Sequence, residues 1–543
     1  MKRFVTLLVD DERGQYTSVE DLADEIEGLE LHYAPGQNEA LDLIDRHFFH
    51  LAIVDVSLRR EANPDVDGIL ILEILRDVRP SCERLLLTTL DREHRPQVLK
   101  ALAPKVGMRE PTAHGYVDKA EPELRASQII RDRATRWLDR PVEIRGLEQI
   151  LSHLAAREVL GEHKVSHAHG QLRPTIDEID TILSRLFGQG QELSNAAIET
   201  VDTVELEPIS EGWSRSATLW CEPLTQGRLG PRCVVKVGPR ADSVEEVERY
   251  RSYVRYGLGL NHRVELLSAS IGDTVGAACY THSAARGEPQ RDLQHLFNVE
   301  DDAGLDAVQK LFDPESKFWI ATQSLSRDLA KFFEIEYGRK VYALIERLTA
   351  YVDREESMTL NRAGSSLQWH GFELAVPCRE DIGLAAFSGS YAACIVHGDL
   401  HGGNVLVAQS GQPVLIDYRN MTRGPRCLDF VSLEVSVRMA RGAVEELADG
   451  SPAAVMARER AAWSADWGTG TEAVEAGAYW EATSSLLRRL ALSNFPDITE
   501  KEYAACALLR ALRVLAAFAP QDDHRRRLLP YIGLLTEVIR ESR

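Results

Sequence analysis

Apolar runs that stop on chemically active residues, with a helix-like stretch between each pair, constrain the first part of this chain most. Phe4-Val5-Thr6-Leu7-Leu8-Val9 ends in Asp10-Asp11, and Leu51-Ala52-Ile53-Val54 ends in Asp55. Leu85-Leu86-Leu87 leads into Thr88-Thr89, and Tyr116-Val117 leads through Asp118 to Lys119. Helix-like stretches cover 18–28, 38–49, 68–78, 95–103 and 122–137. Such alternation implies a parallel sheet with helices on both faces. Ligands of such sheets gather at the carboxyl ends of the strands. Three acids, a hydroxyl and a lysine therefore converge on one rim: Asp10, Asp11, Asp55, Thr88 and Lys119. A single acid at a strand end would only solvate a loop; this set in this order carries chemistry.

The set resembles the receiver domain of bacterial response regulators, a flavodoxin-like fold with a five-stranded parallel sheet, and the resemblance covers residues 1–138. It implies that Asp55 is the phospho-acceptor, that Asp10 and Asp11 bind Mg²⁺ together with Asp55, that Thr88 contacts the phosphoryl group, and that Lys119 pairs with it. The chemistry is coherent, because a hard cation takes carboxylate oxygens and neutralises phosphoryl charge. The sequence departs from the receiver pattern in two places. Arg59-Arg60-Glu61-Ala62-Asn63-Pro64 lengthens the loop after Asp55, and Ala120 follows Lys119 where receivers usually have proline. Pro96, Pro104 and Pro111 also make 88–116 irregular. These departures bear on the output face late in the domain, not on the acceptor chemistry.

A second constellation lies far along the chain. Ile395-Val396-His397-Gly398-Asp399-Leu400-His401-Gly402-Gly403-Asn404-Val405-Leu406 reads as strand, polar loop and strand, and Pro413-Val414-Leu415-Ile416-Asp417 as a third strand closed by an acid. A loop Asp, an Asn five residues later and an Asp after the next hairpin make the core of a phosphoryl-transfer site. In those roles Asp399 orients or deprotonates a substrate hydroxyl, and Asn404 with Asp417 holds Mg²⁺ against nucleotide phosphates. The words resemble the aminoglycoside/choline phosphotransferase branch of the protein-kinase-like superfamily, whose loop reads HGDLHxGN. Gly402 stands where many members have proline. Asp429, in Cys427-Leu428-Asp429-Phe430, matches the branch's later structural Asp, which braces the catalytic loop. The stretch after Asp417 is too short for the activation segment of eukaryotic-type protein kinases.

Between the two sites, residues 139–200 read as a helical connector, with apolar residues at helical spacing from Ile144 to Leu160 and a capping-box form at Thr175-Ile176-Asp177-Glu178. It is a candidate dimer surface or lever, and periodicity does not choose between them. His163, His167 and His169 lack acid or Cys company and read as loop histidines. Residues 201–282 read as the mostly β N-lobe of a kinase-like fold, with strands at Val204–Ile209, Thr218–Cys221, Cys233–Val237, Arg263–Leu267 and Val275–Tyr280 and a helix at about 242–256. Lys236, between Val235 and Val237, fits the strand lysine that contacts the α/β-phosphates. Its helix partner is Glu246 or Glu248; the stripe of Val247, Tyr250 and Val254 favours Glu246. The loop holding Gly212 and Ser214 is placed to cap the phosphates with backbone N–H groups and hydroxyls. Ala277-Ala278-Cys279-Tyr280-Thr281 is the expected hinge strand, facing adenine. Residues 283–543 form a helix-rich C-lobe that carries the catalytic loop.

The fold class that follows is multidomain, α/β plus α+β: a receiver, a connector and a bilobal kinase-like fold. The length suits about three or four domains. A formal charge of −21 argues against a general nucleic-acid-binding surface. The Arg131, Arg133, Arg136, Arg140 and Arg145 cluster reads as a solvated helix face. Eight scattered cysteines with no CxxC pair suit a reducing compartment without structural zinc. No apolar run reaches the ~18 residues of a membrane span, and the N-terminus lacks signal-peptide form; the expected location is cytoplasmic. No histidine-kinase words are present, so the donor to Asp55 is expected to be a separate histidine kinase.

Three functions compete. One is a receiver-regulated kinase using ATP and Mg²⁺ on a protein or small-molecule hydroxyl. Another is an antibiotic-type small-molecule phosphotransferase. The third is a catalytically silent kinase-like scaffold that binds partners. The combination resembles receiver–kinase-like fusions of bacterial signalling and conflict systems.

Overall fold

The computed structural model describes residues 3–12, 17–56, 58, 67–79, 81–88, 95–103, 111–119, 122–138, 142–158, 165–167, 170–172, 174–188, 201–208, 216–225, 228–255, 263–281, 291–313, 328–337, 341–355, 357–361, 365–378, 381, 391–449, 451–467, 478–517 and 523–541. The chain divides into two compact units, 1–247 with 266–282 and 248–265 with 283–543.

The first unit opens with β1 (Phe4–Val9), α1 (Thr17–Glu25), β2 (Leu29–Ala34), α2 (Gln37–Arg46), β3 (Leu51–Asp55), α3 (Asp67–Val78), β4 (Glu83–Thr88), α4 (Arg95–Leu102), β5 (Gly115–Asp118) and α5 (Pro122–Leu138). The sheet order is β2-β1-β3-β4-β5, every pair parallel. That is the flavodoxin-like order, as expected. Strands β1 and β3 are apolar runs because both their faces are covered. Within β1 the period is still two. Val5, Leu7 and Val9 pack with Ala40, Ile44, Ile71, Leu72 and Leu75 of α2 and α3. Phe4 and Leu8 pack with Val19, Leu22, Ala126, Ile130 and Trp137 of α1 and α5.

The unit continues with β6 (Glu143–Arg145), α6 (Leu147–Glu158), β7 (Val165–His167), β8 (Gly170–Leu172), α7 (Ile176–Gly188), β9 (Thr203–Pro208), β10 (Ala217–Thr225), β11 (Arg228–Leu229), β12 (Cys233–Pro239), α8 (Arg240–Arg249), β13 (Leu266–Ile271) and β14 (Val275–Thr281). Its second sheet runs β13-β14-β12-β10-β9-β6, with β11 on β10. Strands β9, β10, β12, β14 and β13 pair antiparallel, the order of a kinase-like N-lobe. The stretch expected as a helical connector carries α6 and α7, and it also supplies β6, which joins β9 in parallel. Ile150 and Leu154 of α6 and Ile179, Ile182, Leu183 and Leu186 of α7 share one core with Val204, Leu219, Val235, Val237 and Ala277. The connector is thus built into the lobe: its apolar stripes cover one face of this sheet.

In the second unit, 393–396 pairs antiparallel with 422–425, and 405–407 pairs with 413–415. These hairpins present the loop of Asp399 and the residues around Asp417. Behind them runs the helix Leu428–Arg438, buried at every position, charged residues included. A helix without a polar face belongs at the centre of a bundle; helices at Pro452–Trp467, Tyr479–Asn494, Glu500–Ala517 and Asp523–Glu541 also build this unit. Among the described residues, no helix is long and apolar enough to cross a membrane.

Candidate functional site

At the carboxyl rim of the first sheet, Asp10, Asp11 and Asp55 each bring a carboxylate oxygen within 4.8 Å of the others. Asp10 and Asp55 are buried and Asp11 is half-buried. Lys119 Nζ lies 2.5 Å from Asp55 Oδ2 and 3.2 Å from Asp10 Oδ2. Burial acts to lower the lysine's pKa, but the hydrogen bond and charge of Asp55, then Asp10, outweigh it, and the pKa is raised. Thr88 is buried at the end of β4, one register step beyond the Asp55–Leu87 pair. Its carbonyl accepts the Lys119 N–H at 3.0 Å. Helix α3 begins hard against the acceptor: a Cβ on Gly68 would lie 1.7 Å from the Asp55 carbonyl oxygen, so the approach needs glycine. All five residues expected at this rim are together. Three hard carboxylate donors in one cleft fit Mg²⁺.

On the second sheet, Val235 and Val237 point into the shared core and Lys236 to the other face. Its Nζ pairs with Glu246 Oε2 at 2.8 Å. Tyr280 donates its hydroxyl to Glu246 Oε1 at 2.7 Å, fixing the carboxylate from the neighbouring strand. Glu246 is buried and Glu248 exposed. Gly212 and Ser214 lie outside the described residues, as do His163, His169 and the 59–64 insertion.

In the second unit the Asp399 loop is held from several sides. Asp429 accepts N–H bonds from His397 at 2.6 Å and Gly398 at 3.0 Å; burial pushes its carboxyl up to about 6. His397 Nε2 meets the Ile416 carbonyl at 2.8 Å, and Ile416 N–H reaches the Asn404 carbonyl at 3.1 Å, which ties the two hairpins together. Asn404 donates Nδ2 to the Asp399 carbonyl at 2.9 Å, leaving its amide oxygen for a cation. Asp417 is left-handed at φ 61°, a backbone state that non-glycine residues rarely adopt. Gly402 has a steric reason: the space of a Cβ, and so of a proline ring, is filled by the Gln294 backbone 2.7 Å away.

Sequence reasoning missed the partner of Asp399. Arg510, on Glu500–Ala517, donates to Asp399 Oδ1 at 2.6 Å and is 4% exposed at the side chain. Burial acts to raise the pKa of Asp399, but Arg510, then Arg513 and His401, hold it below the usual carboxylate range. Asn420 stands 3.5 Å from the other carboxylate oxygen. No local spacing announces Arg510, which lies 111 residues away. Tyr280 lies on the expected hinge strand, and nothing local in the sequence marks its hydroxyl for Glu246.

The first sheet and its helices have the flavodoxin-like fold. The strand order decides this. A receiver domain of an HD domain-containing protein from Pseudomonas fluorescens is 22% identical over 25% of this chain and 91% of its own, with a TM-score of 0.21. A response regulator receiver domain from Methanospirillum hungatei is 24% identical over 25% of this chain and 98% of its own, with a TM-score of 0.20. A thermostable mutant of an aminoglycoside phosphotransferase, in apo form, is 12% identical over 67% of this chain and 98% of its own, with a TM-score of 0.35. Likenesses this slight carry no argument; strand order and site geometry do. Residues 347–535 match a family model described as Ternary complex associated domain 9. No curated protein sequence matches the chain. Beyond the first sheet, the second sheet and the Asp399 hairpins are of the kinase-like fold class.

Proposed function

We propose that this is a cytoplasmic signalling protein whose phosphorylatable receiver (1–138) acts through the 139–200 connector on an ATP-dependent phosphotransferase made of the 201–282 lobe and the 283–543 lobe. The Lys236–Glu246 pair at 2.8 Å, with its glutamate buried, carries this reading. A lysine held on a strand by a helix glutamate is the arrangement that kinase-like enzymes use to grip nucleotide phosphates, and a scaffold has no need of it.

Asp55 takes the phosphoryl group from a separate histidine kinase. A carboxylate oxygen forms the new O–P bond, the donor's N–P bond breaks, and the imidazole keeps the electron pair and is protonated. Lys119, already beside Asp55, pairs with the added charge. In the second site Asp399 orients the acceptor hydroxyl and takes its proton. Asn404 and Asp417 are the residues that would hold Mg²⁺, which neutralises phosphate charge when bound. The acceptor is a protein or small-molecule hydroxyl. An antibiotic-type reading fits poorly, because Arg510 and Arg513 act on Asp399 and would repel a cationic acceptor.

A second reading has its own observation. Asp399 is engaged by Arg510 at 2.6 Å, and a carboxylate so stabilised is a weak base. With the family description matched over 347–535, that favours a kinase-like scaffold assembled with partners. Binding linkage tests the nucleotide site on which the enzymatic reading depends. ATP with Mg²⁺ raises the melting temperature of wild type, and Asp417→Ala loses most of the metal-dependent part. An unchanged shift in that variant contradicts the enzymatic assignment.

A further inference from the structure

The first unit contains a cavity of about 520 Å³ away from both proposed sites, lined by Ser81, Cys82, Glu83, His114, Arg185, Arg240, Ile271 and Gly272. Its walls come from the turn before β4 and the residue before β5, from α7, from the first residue of α8, and from the end of β13. Its size falls in the range of small-molecule sites. We propose that this cavity binds a small phosphate-bearing molecule, gripped by the guanidinium groups of Arg185 and Arg240.

Charge is the first argument. The chain carries a formal −21, yet around this cavity cations prevail. Asp273 is fully buried and feels Arg79, Arg185 and Arg240 together. One oxygen of the carboxylate is engaged, Ser81 donating its N–H to Oδ1 at 3.0 Å and its hydroxyl at 2.7 Å, while Oδ2 is buried without a hydrogen-bond partner among the described residues. Arg79 stands 3.8 Å from Oδ2, beyond hydrogen-bond reach, and spends its fork on the Ile44 carbonyl at 2.8 and 3.2 Å. Glu83, the acid in the wall, is paired with Arg133 at 2.9 Å. Glu178, the other buried acid nearby, accepts from the Asp273, Thr274 and Val275 N–H groups and the Thr274 hydroxyl.

Hydrogen bonding is the second argument. The Arg240 Nε is buried and has no hydrogen-bond partner among the described residues. Arg185 forms no side-chain hydrogen bond or ion pair among the described residues, and burial lowers its pKa. An arginine is planar and charged, with donors arranged in a fork that matches phosphate. Two such groups, half-buried and with unspent donors on one concave wall, ask for an anion that accepts several bonds. His114 lines the same wall with its ring fixed, Nδ1 taking the Arg84 N–H at 3.0 Å.

The location gives the site a use. Strands β4 and β5 carry Thr88 and lead to Lys119 at one end, and start beside Glu83 and His114 at the other. A ligand here touches the receiver, the connector helix and the second sheet at once.

The test uses the full chain with EDTA present, so that neither acid cleft holds a metal, and inorganic pyrophosphate as the probe in isothermal titration, against sodium chloride at equal ionic strength. Wild type binds pyrophosphate saturably. Arg185→Gln and Arg240→Gln each weaken it about tenfold or more, the size of one lost charge-assisted bond. Lys236→Ala, which removes the lysine of the proposed nucleotide site, leaves this affinity unchanged. Arg185→Lys and Arg240→Lys keep the charge and guard against loss of folding; each weakens binding by less than the Gln variant. No saturable binding to wild type, affinity unchanged in both Gln variants, or affinity lost in Lys236→Ala overturns the proposal.

Discussion

Each unit buries a network of arginines and acids, and the two networks differ in closure. In the second unit, Arg438 meets Glu434 at 3.0 Å and Glu459 at 2.8 Å, Arg488 meets Glu434 at 2.6 Å and Asp466 at 2.9 Å, and Arg527 meets Glu459 at 2.9 Å. Tyr503 closes the last acceptor of Glu434 at 2.6 Å, and Arg438 stacks 3.6 Å over the Tyr531 ring. Cations outweigh burial there: the pKa of Glu434 is lowered and that of Glu459 falls to about 2. In the first unit the balance reverses. Burial and the neighbouring Asp273 push Glu178 up to about 7, Asp273 is itself raised, and Arg185 is lowered by burial. The second network is closed at its carboxylates, whose oxygens are all paired, although Arg527 Nε and Nη2 are buried without a hydrogen-bond partner among the described residues. The first is open at both signs, with Asp273 Oδ2, Arg79 Nη1 and Arg240 Nε without one.

Breaking the closed network should produce the largest stability effect. Glu459→Gln leaves Arg438 and Arg527 buried without their shared carboxylate, and the expected loss is ~3–5 kcal/mol. Chemical denaturation followed by helix content measures it; a loss under ~1 kcal/mol would mean that the network is dispensable. The open network behaves differently. Arg185→Gln removes a desolvated charge that has no partner among the described residues, so without ligand the melting temperature holds or rises. A fall of the size seen for Glu459→Gln would show that Arg185 is structural and erase the contrast.

The smallest effect is a difference in pH slope. Glu178 has a folded pKa raised from 4.5 to about 7. Its contribution is fully present below 4.5 and lost as pH rises through about 7. Glu459, depressed from 4.5 to about 2, contributes fully above 4.5 and loses that contribution as pH falls toward 2. Melting curves between those values should therefore show Glu178→Gln flattening the neutral side only. Identical neutral slopes in wild type and variant would remove Glu178 from the account.

The legible parts of this molecule were those whose chemistry is local in sequence. Asp10, Asp55 and Thr88 close apolar strands, so each announces the strand and its end together. Glu246 was separable from Glu248 because Val247, Tyr250 and Val254 mark the buried face of its helix. Strand β2 gives no clear apolar run, since Leu29-Glu30-Leu31-His32-Tyr33-Ala34 is half-buried at four inner positions and carries polar residues. The periodicity of 144–160 and 176–186 gave helices but not what covers them, because an apolar stripe does not name its partner. Arg510 and the Arg185–Arg240 pair were invisible for the same reason: arginines on helices look alike until packing decides which keep a partner.

The central claim is transfer, and one assay reaches it. Purified protein with γ-labelled ATP and Mg²⁺, alone and with lysate, should yield labelled acceptor with wild type. Asp399→Asn should bind ATP within a few fold yet lose transfer by roughly 10²–10⁴, and a beryllofluoride mimic at Asp55 should change the wild-type rate in a way that Asp55→Asn does not. ATP binding with no transfer to any acceptor, in wild type and Asp399→Asn alike, would contradict the enzymatic account and leave the scaffold.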